Sequence, residues 1–153
     1  MTEMIPADKK WVKDVSKMMQ NDLLNPDPRF PAAMISRFRD HAKEENILKE
    51  FENPDLISFF AIKNDALIGF IVGYKEDAQK AMIHYVSGDS FETKKKLLQK
   101  FIYECKNMKI DSIITDSFEF MENNTLFMKN GFMVVKKENI TKNLEMLWYE
   151  LKP

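Results

Sequence analysis

Few residues in this chain combine a type and a spacing that could do chemistry. His41 and His84 are the only histidines, so a multi-histidine metal site is not expected to form. The acidic residues show no calcium-loop spacing, and no metal is expected. Cys105 is the single cysteine. That excludes an internal disulfide and paired-cysteine redox or zinc-finger chemistry, and its place on an apolar helical stripe makes it an inert core thiol. His84 and Tyr85 are adjacent in an otherwise apolar run, Ala81 to Val86. An imidazole titrates near neutrality and can take a proton from an ammonium group directly or through water; the alternative is a packed histidine with a satisfied ring. For Tyr85 and Tyr149 the alternative is amphipathic packing. Strand alternation sends His84 and Tyr85 to opposite faces, so only one of them can serve a given cleft.

Downstream, Ser87-Gly88-Asp89-Ser90 turns into a helix whose start has the spacing of a capping box, Asp89-x-x-Glu92, in which carboxylates satisfy the helix's own first donors. Lys94, Lys95 and Lys96 project from that helix, together with Lys100. They form either a solvated face or a cationic site.

The elements that must position these groups follow from periodicity. Thr2–Pro6 reads as a first strand ended by proline. Lys9–Leu24 carries Trp11, Val12, Val15, Met18, Met19 and Leu23 at helical spacing. Asn25–Pro31 holds three prolines and forms a rigid extended connection. A second helix is expected over Ala32–Phe51, with its HAKEEN segment as a solvated middle. Ile57–Ile62 and Ala66–Tyr74 form a hairpin turned at Asn64-Asp65. Both strands are nearly all apolar, which requires cover on both sheet faces. Gly69 and Gly73 mark either a bulge or a small residue under a packed helix.

Ala81–Val86 is the next strand, Phe91–Asn107 an amphipathic helix and Asp111–Asp116 a short strand. In Asn123–Val135 the asparagines suit a helix start, Lys129 suits its end, Gly131 stops it, and Phe132, Val134 and Val135 begin a half-buried strand. A polar link, Lys136–Asn143, leads to a last strand, Leu144–Leu151.

With 153 residues, 44% hydrophobic and 31% charged, one domain spanning 1–153 is expected. A net charge of −1 and a pI near 6.2 give no basic footprint for nucleic acid or an anionic membrane. No signal-peptide core or span-length apolar run is present, and a cytoplasmic setting is expected.

Phe127-Met128-Lys129-Asn130-Gly131-Phe132 resembles the Y-E-K-x-G-F signature of the GNAT superfamily of acetyl-CoA-dependent N-acetyltransferases, and the order of elements before it is similar to that family's. The resemblance implies an α/β (α+β) fold: a mixed, mostly antiparallel sheet in order of sequence, flanked by helices on both faces. It also implies transfer of an acetyl group from acetyl-CoA, as cosubstrate, to a primary amine of a small molecule or peptide by direct attack.

In that family backbone donors at the start of the long helix hold the coenzyme pyrophosphate. Carried over, this gives Val86, Ser87, Gly88, Ser90, Lys94, Lys95, Lys96, Asn124 and Phe127 as coenzyme-binding positions and His84 or Tyr85 as the proton-handling group. It places the acceptor near Asp27 and Arg29 of the proline-rich loop; the alternative there is a solvated loop. The sequence departs from the family at Asp89, Glu92 and Lys94, where a basic or amide residue, a glycine and a glycine or alanine belong, and at Phe127, where a tyrosine would supply a proton. The alternative function is therefore a GNAT-fold binding or regulatory module without catalysis. An apolar, aromatic last strand left at a sheet edge would favour a homodimer.

Overall fold

The computed structural model describes all 153 residues. In chain order the elements are β1 (Thr2–Pro6), a 3₁₀ turn (Lys9–Trp11) running into α1 (Val12–Asp22), α2 (Ala32–His41), α3 (Glu44–Phe51), β2 (Leu56–Lys63), β3 (Ala66–Lys75), β4 (Lys80–Gly88), α4 (Phe91–Asn107), β5 (Ser112–Phe118), α5 (Glu122–Lys129), β6 (Met133–Thr141) and β7 (Leu144–Leu151). All seven strands join one sheet in the order β1-β2-β3-β4-β5-β7-β6. Only β4 with β5 is a parallel pair.

Adjacent apolar residues of one strand serve opposite faces, which is why β2 and β3 read as unbroken hydrophobic runs. Phe59 and Ile71 lie under Leu97, Leu98 and Phe101 of α4, with Leu126 and Phe127 of α5 in the same core. Phe60, Phe70 and Val72 face the other way, under Val12, Val15 and Met19 of α1 and Ile47 of α3. No helix is long and apolar enough to cross a membrane.

Several expectations are corrected. The sheet does not follow sequence order, because β7 inserts between β5 and β6. Leu144, Leu147 and Tyr149 give β7 a buried set, whereas β6 is exposed over its first seven residues, so only β7 suits an inner place. The segment expected to be a polar link is mostly β6, with Lys142 and Asn143 making the turn; Val134 and Val135 consequently lie exposed on the edge. The reason for expecting a homodimer goes with this, since the aromatic last strand is not an edge.

The second helix is two helices. Ser16 Oγ of α1 donates to the Ala42 carbonyl at 2.6 Å, occupying an acceptor that a continuous helix would use itself. Lys43 then turns extended at φ −69°, ψ 139°, and Glu44 and Glu45 open α3 where the macrodipole favours acids.

Finally, Asn123 and Asn124 do not cap α5. They lie inside its first turn, behind Met121.

The end of α5 is as its sequence suggests. Gly131 sits at φ +91°, its N–H donates to the Met128 carbonyl at 3.3 Å, and the Phe132 N–H donates to the Phe127 carbonyl at 3.1 Å. This is a Schellman closure with the expected apolar contact, the Phe127 and Phe132 rings being 5.5 Å apart.

Gly73 has a stricter reason to be glycine. A Cβ there would stand 2.4 Å from the Met82 carbonyl oxygen and 2.7 Å from the Phe101 ring. Gly73→Ala is therefore expected to destabilise by about 3 kcal/mol, and Gly131→Ala, with more room, by about 1 kcal/mol. Urea unfolding followed by tryptophan fluorescence measures both; equal effects would contradict the packing argument at Gly73.

Candidate functional site

The parallel strands β4 and β5 pair only over Lys80–Met82 with Ser112–Ile114. Beyond this they part, leaving a wedge bridged by Thr115 Oγ1, which donates to the Ile83 carbonyl at 3.2 Å. The cause is a bulge in β4. Across from β3 the register passes from Val72 opposite Tyr85 to Gly73 opposite Ile83, so His84 is an extra residue. Ile83 and Val86 stay in the core beneath α4, while His84 and Tyr85 both turn toward α1–α3. The expectation that they face opposite ways is thus corrected: alternation fails where one residue is inserted. The His84 ring lies 5.3 Å from that of Tyr74 and 6.0 Å from that of His41, and Tyr85 stacks on Phe70 at 5.6 Å.

Tyr85 is held by a residue that sequence reading missed. The carboxylate of Asp22, the last residue of α1, accepts from Tyr85 Oη at 2.9 Å and from Ser87 Oγ at 2.8 Å. Burial, then the Asp22 charge, pushes the phenol pKa well up, so Tyr85 keeps its proton at any ordinary pH. An aspartate at the frayed end of a helix carries no pattern that would have revealed this.

At the start of α4 the cap is Ser90, whose Oγ accepts from the Thr93 N–H at 3.1 Å. The expected Asp89–Glu92 box does not form; Asp89 accepts from Thr93 Oγ1 at 2.6 Å instead. The helix is capped one residue later than that box requires, so Ser90 and not Asp89 meets the first free N–H. Gly88 passes close under Lys94, with a built Cβ 3.2 Å from the lysine stem. Lys94 does not project outward. Its ammonium reaches Glu122 Oε1 and Asn123 Oδ1, each at 3.3 Å, tying α4 to α5. Lys95 is half-buried and Lys96 exposed.

The opposite wall of the wedge, made by β5, β7 and α5, holds three buried polar atoms without a partner: Ser117 Oγ, Asn124 Oδ1 and Tyr149 Oη. Phe127 is buried beside Tyr149, the two rings 5.7 Å apart. Orphaned buried polar groups are uncommon and call for a ligand or water. Cys105 is inert, as expected, with burial raising its thiol to about 12.

In the proline-rich loop Arg29 clamps Asp27 by two side-chain bonds, 2.8 and 2.7 Å, and its guanidinium lies 3.7 Å over the Phe120 ring. Phe30 packs edge-on against Phe118 and Phe120, seating the loop at the end of β5. The two candidate acceptor residues are therefore at the wedge mouth but satisfy each other. The histidines, separated in sequence, meet in space: side-chain ligand atoms of His41, Glu50 and His84 all lie within 4.8 Å of one another. The expectation of too few histidines for a site took no account of Glu50.

No protein-family model and no curated protein sequence matches the chain. Solved structures are similar to it over nearly its full length. The PaiA N-acetyltransferase from Thermoplasma acidophilum, in complex with coenzyme A, superposes with a TM-score of 0.78 at 19% identity, covering 100% of this chain and 99% of that one. The ribosomal-protein-S18-alanine N-acetyltransferase from Escherichia coli gives 0.76 at 12%, covering 99% and 94%. A GNAT-family acetyltransferase from Streptococcus pneumoniae gives 0.73 at 10%, covering all of both chains.

Two outcomes follow from the polar contacts. Asp22→Ala leaves the buried Ser87 hydroxyl without its acceptor, at a cost of about 1–3 kcal/mol, and should lower the Tyr85 pKa in an ultraviolet titration; an unmoved phenol would disconnect the pair. The Asp27 carboxyl is held down to about 2 from an ordinary 3.8, chiefly by the Arg29 hydrogen bond. A depressed folded-state pKa means stabilisation that is full above the ordinary value and lost as pH falls from about 4 through 2. Chemical shifts of the loop should be constant above that window and change within it.

Proposed function

We propose that this chain, which has the fold of the GNAT acetyltransferases, transfers an acetyl group from acetyl-CoA to an amine. The observation that carries the reading is the wedge between β4 and β5, with Ser117, Asn124 and Tyr149 presenting unpartnered polar atoms on its wall. Groups that are costly to bury dry have a use if a polar, extended ligand runs past them. The residues fit such a ligand along this wall and along the unpaired edge of β4. Val86, Ser87 and Gly88 would hold it on the β4 side, Asn124 and Phe127 on the α5 side, and Ser90 with Lys94, Lys95 and Lys96 at the helix start.

When bound, acetyl-CoA supplies an activated thioester and a good leaving group. The protein's own contribution is positioning and charge. Backbone N–H groups near Val86–Gly88 are suited to polarise a carbonyl in a dry cleft. His84 is suited to take the ammonium proton of an incoming amine. Tyr85, protonated and fixed by Asp22, orients the acceptor side, and the Tyr149 phenol, buried beside Phe127, offers the proton that phenylalanine lacks. Among the similar structures one is a ribosomal-protein-S18-alanine N-acetyltransferase; for this chain we infer an amine acceptor, of a small molecule or a peptide, entering beside the Asp27–Arg29 clamp.

A second reading, a binding module without catalysis, is favoured by one specific observation. Asp89 and Glu92 stand at the α4 start, and Lys94 is already neutralised by Glu122. Carboxylates there oppose an anionic coenzyme.

Melting curves with acetyl-CoA separate the readings. A ligand at a hundred times its dissociation constant stabilises by about 2.7 kcal/mol, so a clear rise in melting temperature is expected, reduced by Lys95→Glu with Lys96→Glu. No rise at millimolar acetyl-CoA would sink the transferase reading. With a panel of small amines and peptides bearing free N-termini, His84→Gln should then lower kcat by roughly a hundredfold or more while leaving the acetyl-CoA shift in place.

A further inference from the structure

We propose that His41, Glu50 and His84 form a binding site for a divalent first-row transition-metal ion of the zinc class. The three come from separate elements: His41 ends α2, Glu50 lies in the last turn of α3, and His84 is the bulged residue of β4. Their ligand atoms are mutually within 4.8 Å. Around a tetrahedral ion with bonds of about 2.0–2.1 Å, ligand atoms stand about 3.3 Å apart, a difference that small side-chain rotations close. The imidazole planes are inclined at 56° and do not stack, so the rings converge without competing for one space. Glu50 belongs to none of the chain's ion pairs, which leaves its charge free for a cation.

Surrounding groups have the character of a metal's outer shell. Tyr74 stands edge-on to His84 at 5.3 Å, with its hydroxyl beside the Glu50 carboxylate. Asp116, half-buried on β5, faces His84 from the other side of the wedge. Two imidazoles with one carboxylate select zinc, cobalt, nickel or iron over calcium and magnesium, which prefer oxygen. Three protein ligands leave a coordination position open toward solvent, since His41 and His84 are exposed. The site does not depend on acetyl transfer, but the two share His84: an imidazole whose lone pair is on a metal cannot take a proton.

The test uses the full chain without a polyhistidine tag, freed of metal by chelation. Cobalt(II) chloride is titrated against visible absorption, and zinc chloride by calorimetry. The expected result is saturation at one equivalent, with zinc displacing cobalt, and affinity lower by about tenfold or more in His41→Ala, Glu50→Gln and His84→Ala. The melting temperatures of the metal-free variants report whether each is folded, and Glu50→Gln, nearly isosteric, keeps the test decisive if an alanine variant is not. No saturable uptake of either ion, or uptake that these substitutions leave unchanged, overturns the proposal.

Discussion

One inserted residue in β4 governs the chemistry of this molecule. With His84 in excess over β3, the strand cannot keep its ladder with β5 past Met82, and a sheet that would otherwise be continuous opens at its centre. The same insertion carries His84 and Tyr85 to one face. It is tolerated because Gly73, opposite, lets the Met82 carbonyl and the Phe101 ring approach where any side chain would collide. The close approach at Gly73 and the extra residue at His84 thus belong to one local distortion of the sheet, with Phe101 on one face of it and His84 on the other.

The two ends of the cleft differ in electrostatics. Toward α5 and β7 the wall is apolar with isolated, unpartnered dipoles, an environment that strengthens any hydrogen bond made there. Toward the α4 start two of the charged groups are already engaged internally, Asp89 with Thr93 and Lys94 with Glu122 and Asn123. A ligand arriving at that end competes with contacts the protein makes for itself, whereas at the other end it meets none. Affinity should therefore be concentrated away from the helix terminus, the reverse of what a glycine-rich anion loop provides.

Much of this architecture was legible in the residues. Apolar runs, helical periodicity and turn chemistry set β1 to β4, α4 and the Gly131 corner, because each depends on its own segment. What escaped depended on partners distant in sequence. No breaker residue stands at Ala42-Lys43; at the break between α2 and α3 the Ala42 carbonyl is held by a serine on α1. The place of β7 was decided by a comparison of two strands, only one of which has a buried set. The shared face of His84 and Tyr85 came from a register shift with no mark in β4 itself, although Gly73 signalled it from across the ladder. Asp22 and Glu50 joined their sites only through tertiary contacts, and a charged residue near a helix end looks the same whether it is solvated or engaged.

The insertion of β7 between β5 and β6 also has a bearing on synthesis. While the chain is being made, β5 has one parallel neighbour over three residues and otherwise an open edge, until its antiparallel partner, Leu144–Leu151, has been translated after α5 and β6. The β6–β7 hairpin has a two-residue turn and can form locally within microseconds, but only after Leu151 emerges can it dock as a unit and close the sheet. A nascent chain halted before Leu144 would carry the Ser117 and Asn124 part of the polar wall and an unpaired inner strand exposed together, a state suited to chaperone capture and open to proteolysis. Ribosome-bound chains of stepped length, probed by limited digestion, should turn resistant only once β7 has cleared the exit tunnel.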